Sequence, residues 1–260
     1  MSNIKQKESP SFLYHYTKIE NLALILQNRT IRFSSLNTVN DLTEGETSDY
    51  GSSLSQYVFV SCWMADSKEQ IPMWHMYTPN MTGVRIKLPA DPFQRYGKSI
   101  VPVEEIFYKK YSVVPPSFEL CEMNYTDDEN LLKPKFAEVR SPKEVTLNAE
   151  ALGKYKPESW RFESEWRYIL FIHPRNIFGF DGESYSDEKF AKAVKSLGTE
   201  PLPLDNQYFL KIRDEAFEQM EIMLGPKHSD GDVAIVKALI KAYNPNAEFK
   251  PSDLTGKIRK

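Results

Sequence analysis

Residues 160–172 read WRFESEWRYILFI and carry the clearest strand pattern in this chain. With a two-residue period, Trp160, Phe162, Trp166, Tyr168, Leu170 and Ile172 fall on one face, and Arg161, Glu163, Glu165 and Arg167 share the other. Toward the N-terminus lies a weakly patterned region with five acids over residues 119–129 and six bases over 133–156. It reads as a partly helical insertion near 117–156. Residues 57–63 (YVFVSCW) and 83–88 (GVRIKL) have the composition of strands, with one or two helical turns at 73–77 between them. Residues 31–36 make another strand, and a loop at 35–47, rich in Asn, Asp, Thr and Ser, is long enough to be functional. At residues 12–17 an aromatic strand feeds a helix in which Ile19, Leu22, Ile25 and Leu26 recur at helical spacing. Thr17 and Glu20 fit a capping box that starts this helix at Lys18. Toward the C-terminus, residues 186–197 read as an amphipathic helix capped by Ser186 and ended by Gly198. Residues 208–212 and 217–224 read as strands, and 232–243 as a helix stopped near Asn244-Pro245. Strands and helices mix without regular βαβ alternation, which predicts an α+β fold. The expected organisation is a disordered leader at 1–10 and a single domain over 11–260.

With 41% hydrophobic and 13% aromatic residues, the 260-residue chain can bury a sizeable core. Thirty-three basic and thirty-six acidic residues leave a net charge of -3, so the chain as a whole offers no electrostatic case for nucleic acid or an anionic membrane. A local strip of Lys133, Lys135, Arg140, Lys143, Lys154 and Lys156 is the place where phosphates would be held. Cys62 and Cys121 are too few for a disulfide framework, and His15, His75, His173 and His228 lack zinc-ligand spacing, so no metal is expected. The first ten residues have no apolar signal core, and no run approaches about 18 apolar residues. A cytoplasmic protein without a membrane partner is expected.

Several residues admit both a structural and a chemical reading. Glu163 and Glu165, flanked by arginines on one strand face, are cheap if solvated and costly if buried, because like charges oppose joint ionisation. A functional role for them needs a cleft. His15 either satisfies a backbone carbonyl or points into a pocket. Thr17 is an N-cap or a ligand contact. Ser34 and Ser35 begin a turn or line a site. Tyr77, three residues from Trp74, is packing or a ligand platform.

Together these segments resemble a known set of proteins. YHYT at 14–17, NLALIL, IRFSSLNTVND, SCW at 61–63, MWHMY at 73–77, GVRIKL, and above all Lys156-x-x-x-Trp160-x-x-Glu163-x-Glu165-Trp166-Arg167, with MLGP at 223–226, look like the motifs of a widespread bacterial family of uncharacterised domains. That family is similar in layout to ADP-ribosyltransferases, DarT-type toxins included. The resemblance implies a mixed, largely antiparallel split sheet with flanking helices, and NAD as a substrate. It also implies a macromolecular acceptor, RNA or DNA ahead of protein, in a toxin or anti-phage effector with an antitoxin partner. Carried over by residue, His15 and Thr17 would position NAD, Ser34 or Ser35 would support the nicotinamide site, Glu165 would be catalytic, and Glu163, the upstream glutamate of the Glu-x-Glu pair, would be a second catalytic carboxylate that orients or deprotonates the acceptor nucleophile. Phe33 stands where a tyrosine is usual, leaving Tyr50, Tyr57 and Tyr77 as candidates to stack on nicotinamide. Arg32 or Arg85 would meet the pyrophosphate.

The chemistry explains the residue types. Breaking the nicotinamide–ribose bond develops positive charge on the sugar, which a carboxylate stabilises more in the transition state than in the ground state. Nicotinamide leaves as a neutral molecule and needs no general acid. Eleven glycines include no G-x-G-x-x-G, against a Rossmann mode of NAD binding. An NAD glycohydrolase, with water as acceptor, and a non-catalytic binding module are the alternative readings.

Overall fold

In a computed structural model, the described residues are 9–102, 111–114, 120–141, 144–174, 187–199 and 205–259. Residues 1–8 of the expected leader, and Ser186, lie outside them. The chain opens with β1 (Phe12–Thr17), α1 (Ile19–Asn28), β2 (Thr30–Ser35), β3 (Val58–Met64), α2 (Ile71–Tyr77) and β4 (Val84–Pro89). The middle holds β5 (Tyr111–Val114), β6 (Leu120–Glu122), β7 (Asn124–Tyr125), α3 (Glu129–Leu132), β8 (Ala137–Ser141), β9 (Glu144–Leu147) and β10 (Tyr155–Lys156). Then follow β11 (Glu165–Pro174), α4 (Asp187–Ser196), β12 (Gln207–Lys211), α5 (Asp214–Glu218), β13 (Glu221–Leu224), α6 (Asp230–Tyr243) and β14 (Glu248–Pro251). The architecture is α+β, with a mixed and largely antiparallel sheet.

The strand β3 organises that sheet. One of its edges runs antiparallel to β11 from Val58–Phe171 to Met64–Glu165. Its other edge is divided: Val60 and Phe59 pair with Ser34 and Ser35 of β2, while Met64 pairs with Tyr14 of β1. From there β1 continues into β4, β13 and the parallel β14, and β2 continues into β12. The two wings therefore part over Ser61–Trp63, and α1 links them. Alternation in β1 feeds two cores: Leu13 joins Leu22, Phe33, Trp63, Ile86 and Trp166, whereas Tyr14 and Tyr16 join Trp74, Met81 and Met223 beneath α2. A third cluster, with Tyr57, Phe136, Phe171 and Val194, lies under α4 and the β8–β9 hairpin.

Several sequence expectations change. The strand expected from Trp160 begins only at Glu165, because β3 ends at Met64 and earlier residues have no partner strand. Residues Glu158–Glu163 instead coil into a 3₁₀ turn that ends at Ser164 in the left-handed region (φ 44°). Trp160 and Phe162 stack on each other, centroids 6.2 Å apart, off the strand face. The capping box at Thr17 does not form: Lys18 is the N-cap, and the Thr17 hydroxyl accepts from Asn21 Nδ2 at 2.9 Å. Residues 217–224 divide into the end of α5, with its acidic first turn, and β13. Over the described part of 117–156, helix is confined to α3 and a 3₁₀ turn at Ala149–Ala151, and the other regular elements are strands. No helix among the described residues is long and apolar enough to cross a membrane.

Candidate functional site

The gap between β1 and β2 opens into a cavity of about 600 Å³. His15 and Thr17 of β1 face Arg32 and Ser34 of β2 across it, Ser61 and Cys62 of β3 form the floor, and Tyr77 reaches in from α2. Glu44, Lys156, Glu165 and Arg167 close one end, all of them buried.

The His15 Nδ1–H donates to the Cys62 carbonyl at 2.9 Å, because a carbonyl oxygen can only accept. Its ring lies 5.1 Å from that of Trp63. Burial pulls the imidazole pKa down against the raising effect of the Cys62 bond, and the nearby Arg32 charge lowers it further. The result is a neutral ring whose Nε2 is an acceptor.

At the charged end, Lys156 Nζ lies 2.5 Å from Glu163 Oε2, 3.2 Å from Glu165 Oε2 and 3.8 Å from Glu44 Oε2. Arg167 grips Glu165 with two bonds, Nε to Oε1 at 2.5 Å and Nη2 to Oε2 at 3.0 Å, and its Nη1 donates to Glu44 Oε1 and to the Gly153 carbonyl. The Tyr77 hydroxyl donates to Glu163 Oε1. Three carboxylates thus face two cations, and Glu44 Oε2 is buried without a hydrogen bond.

Burial pushes the Glu165 carboxyl up, Lys156 opposes it, and the Glu163 charge adds to it, leaving the group at about 7. For Lys156 burial disfavours the charge, but Glu165 and Glu163 outweigh it, so the ammonium persists. Burial lowers Arg167 as well, yet a guanidinium gripping two carboxylates stays charged at neutral pH. Burial and the Glu163 charge keep Tyr77 protonated. Burial and the Glu165 charge also hold Cys62 as a thiol, which excludes a thiolate nucleophile on the cavity floor.

Of the residues expected from sequence, His15, Thr17, Arg32, Ser34, Tyr77 and Glu165 converge on this cavity. Ser35 does not, since it is fully buried and its hydroxyl donates to the Ser55 carbonyl at 3.0 Å. Glu163 sits behind Tyr77 and Lys156, so its effect on a ligand would pass through them. Tyr50 donates to the Val194 carbonyl and Tyr57 packs edge-on to Phe171, which leaves Tyr77 as the cavity tyrosine among the three candidates. Arg85 lines a different concavity. Lys156 leaves the expected basic strip altogether, and Lys133 and Arg140 are paired with Glu46 and Glu138.

Sequence reasoning missed the roles of Glu44, Lys156 and Arg167. Lys156 and Arg167 stood in the most specific motif, and their spacing from the glutamates was the available signal. Glu44 had none beyond its place in a long polar loop.

Residues 73–168 match the model of a family described as "Protein of unknown function (DUF2971)". The matched span holds Tyr77, Lys156, Glu163, Glu165 and Arg167 but stops short of the β1 and β2 wall of the cavity, and no ADP-ribosyltransferase family matches. No curated protein and no solved structure matches the chain.

Proposed function

We propose that this protein breaks the nicotinamide–ribose bond of NAD and passes ADP-ribose to a macromolecule, with nucleic acid ahead of protein as acceptor. One observation carries the reading: His15, from the start of the chain, and Glu165, from the late strand, line one cavity where the sheet divides. Its volume of about 600 Å³ is within the range of small-molecule and cofactor sites.

In this reading the His15 Nε2 accepts from a ribose hydroxyl, and Thr17 and Ser34 fix the neighbouring groups. Arg32, exposed on β2, pairs with the pyrophosphate. Glu165 meets the sugar as positive charge develops there. The surplus negative charge of the cluster strengthens this effect in a cavity end from which water is largely excluded. Lys156 and Arg167 hold the Glu165 carboxylate in one orientation, and Glu163 holds Lys156 and Tyr77. The hydroxyl of Tyr77, committed to Glu163, leaves its ring to face nicotinamide.

The test is incubation of wild type and Glu165→Gln with NAD labelled on its adenylate phosphate, in the presence of separate RNA, DNA and protein pools. Label retained in one pool, with the rate falling on the order of 10²–10³-fold in the variant while NAD affinity changes little, is the expected result. Free ADP-ribose without labelled macromolecule would replace transfer by hydrolysis. Intact NAD in every pool would overturn both.

A further inference from the structure

The face of β1 and β4 turned away from His15 carries a second concavity, of about 440 Å³. Strand alternation builds it. Tyr16 opposes Arg85, Tyr14 opposes Lys87, and on the next strands Met223 opposes both Arg85 and Lys250 while Glu221 opposes Lys87. Three cations, Arg85, Lys87 and Lys250, therefore share one sheet face and line the hollow.

Their counter-charges are unevenly placed. Glu221 takes both ammonium groups, Lys87 at 3.3 Å and Lys250 at 2.7 Å. Lys250 also reaches Glu248 at 3.1 Å, outside the hollow. Arg85 is only 4% exposed, and no carboxylate lies within ion-pair distance of it among the described residues. Its Nη1 donates to the Ser67 carbonyl at 2.9 Å and its guanidinium lies 4.7 Å above the Tyr14 ring, contacts that hold the group in place without neutralising it. Asp253 is the other acid on the wall, and Glu248 meets part of the Lys250 charge from outside, so the cation left without a carboxylate is Arg85. A guanidinium has five donors, and a buried charge without a counter-ion is costly, so an anion entering the hollow would complete the arrangement.

We propose that this concavity binds a phosphate group, with Arg85 as a two-donor clamp and Lys87 and Lys250 closing on the remaining oxygens. Three donor groups, two from β4 and one from β14, surround a tetrahedral oxyanion better than a flat carboxylate, which a single guanidinium satisfies. The proposal is independent of NAD chemistry, since the hollow and the His15 cavity share no lining residue and lie on opposite sheet faces.

Calorimetric titration of the whole protein with inorganic phosphate, and separately with a short single-stranded oligonucleotide, tests it. Arg85→Gln should weaken phosphate binding on the order of tenfold or more, because it removes a charge-assisted pair of bonds. Lys250→Gln should weaken it by about threefold, and Lys192→Gln, at an exposed position on α4 outside both cavities, should leave it unchanged. Oligonucleotide binding that is lost in the same variants identifies the phosphate as that of a polymer. Binding of inorganic phosphate alone identifies a small phosphorylated ligand. If Arg85→Gln fails to fold, Lys250→Gln and Lys250→Glu decide. Wild type showing no saturable binding of either probe below about 10 mM, or binding that survives every variant that folds, overturns the proposal.

Discussion

Replacing Lys156 with methionine keeps an unbranched side chain and removes one positive charge from a buried cluster. In the native protein Lys156 is 5% exposed and its ammonium serves Glu163 at 2.5 Å and Glu165 at 3.2 Å. Without it, Glu163 retains the Tyr77 hydroxyl, Glu165 retains Arg167 and the Cys62 thiol, and three carboxylates face a single guanidinium. Removing one partner of a buried ion pair costs about 3–5 kcal/mol, and that loss is expected for Lys156→Met at pH 8. The pH dependence has a fixed sign. The stranded carboxyls bind protons more tightly in the folded state than in the unfolded chain, so the penalty is full above their raised pKa. It fades as pH falls toward the ordinary carboxylate range. Urea denaturation followed by the fluorescence of the buried Trp63 and Trp166 measures it, at pH 8 and pH 5.5. Lys135→Met, at an exposed position, is the control and should stay within about 0.5 kcal/mol of wild type. A Lys156→Met deficit below about 1 kcal/mol at pH 8, or one that grows on acidification, would refute the buried-cluster reasoning.

The remaining expectations concern the same cavity. With Glu165 raised by burial to about 7, the rate of NAD cleavage should fall below roughly pH 7 as the carboxylate takes up a proton, and kcat/KM flat down to pH 5 would contradict its role. Gly83→Ala puts a Cβ 2.3 Å from the Thr17 carbonyl oxygen and 2.7 Å from the Thr78 side chain, so β1 must shift beside the cavity. A loss of about 1–3 kcal/mol with weaker NAD binding is expected, and an unchanged melting midpoint counts against it. Tyr77→Phe deprives Glu163 of a donor and should cost about 1–3 kcal/mol in the same urea assay, with no loss at all arguing that the hydroxyl is solvated instead.

Periodicity made most of the sheet legible. The run at 57–63 became β3 because its apolar residues face cores on both sides, which a continuous β-branched and aromatic run announces, and 83–88 became β4 because alternation puts Val84, Ile86 and Leu88 in one core and Arg85 and Lys87 on the other face. The start of β11 was illegible because alternation at Trp160 and Phe162 is a local pattern, whereas strand extent is set by the partner, which stops at Met64. Phe217 misled for a similar reason: apolar residues in α5 and β13 are contiguous in sequence, and only the change in backbone separates a five-residue helix from the strand. In the site, His15, Thr17, Ser34 and Glu165 could be found from motif and alternation. Ser35 could not be separated from Ser34, since alternation says they face opposite ways but not which way is the cavity. Glu44 was out of reach, because its pairing with Arg167 spans 123 positions and joins a loop without regular structure.

The origin of the cluster bears on what it is for. Its members come from the loop after β2, from β10, from the 3₁₀ turn and from β11, so no local structure requires any of them to be charged. Replacing a buried ion network with apolar residues of similar volume is commonly neutral or stabilising, so stability alone does not account for five ionisable groups here. Nor does their arrangement seek neutrality, because the carboxylates outnumber the cations and one carboxylate oxygen of Glu44 is left without a donor. What the arrangement does accomplish is geometric and electrostatic. It fixes a carboxylate with two rigid bonds to Arg167, at the end of a cavity whose opposite wall presents a neutral imidazole. A site built in this way gathers its negative charge at one point, which favours positive charge that develops there.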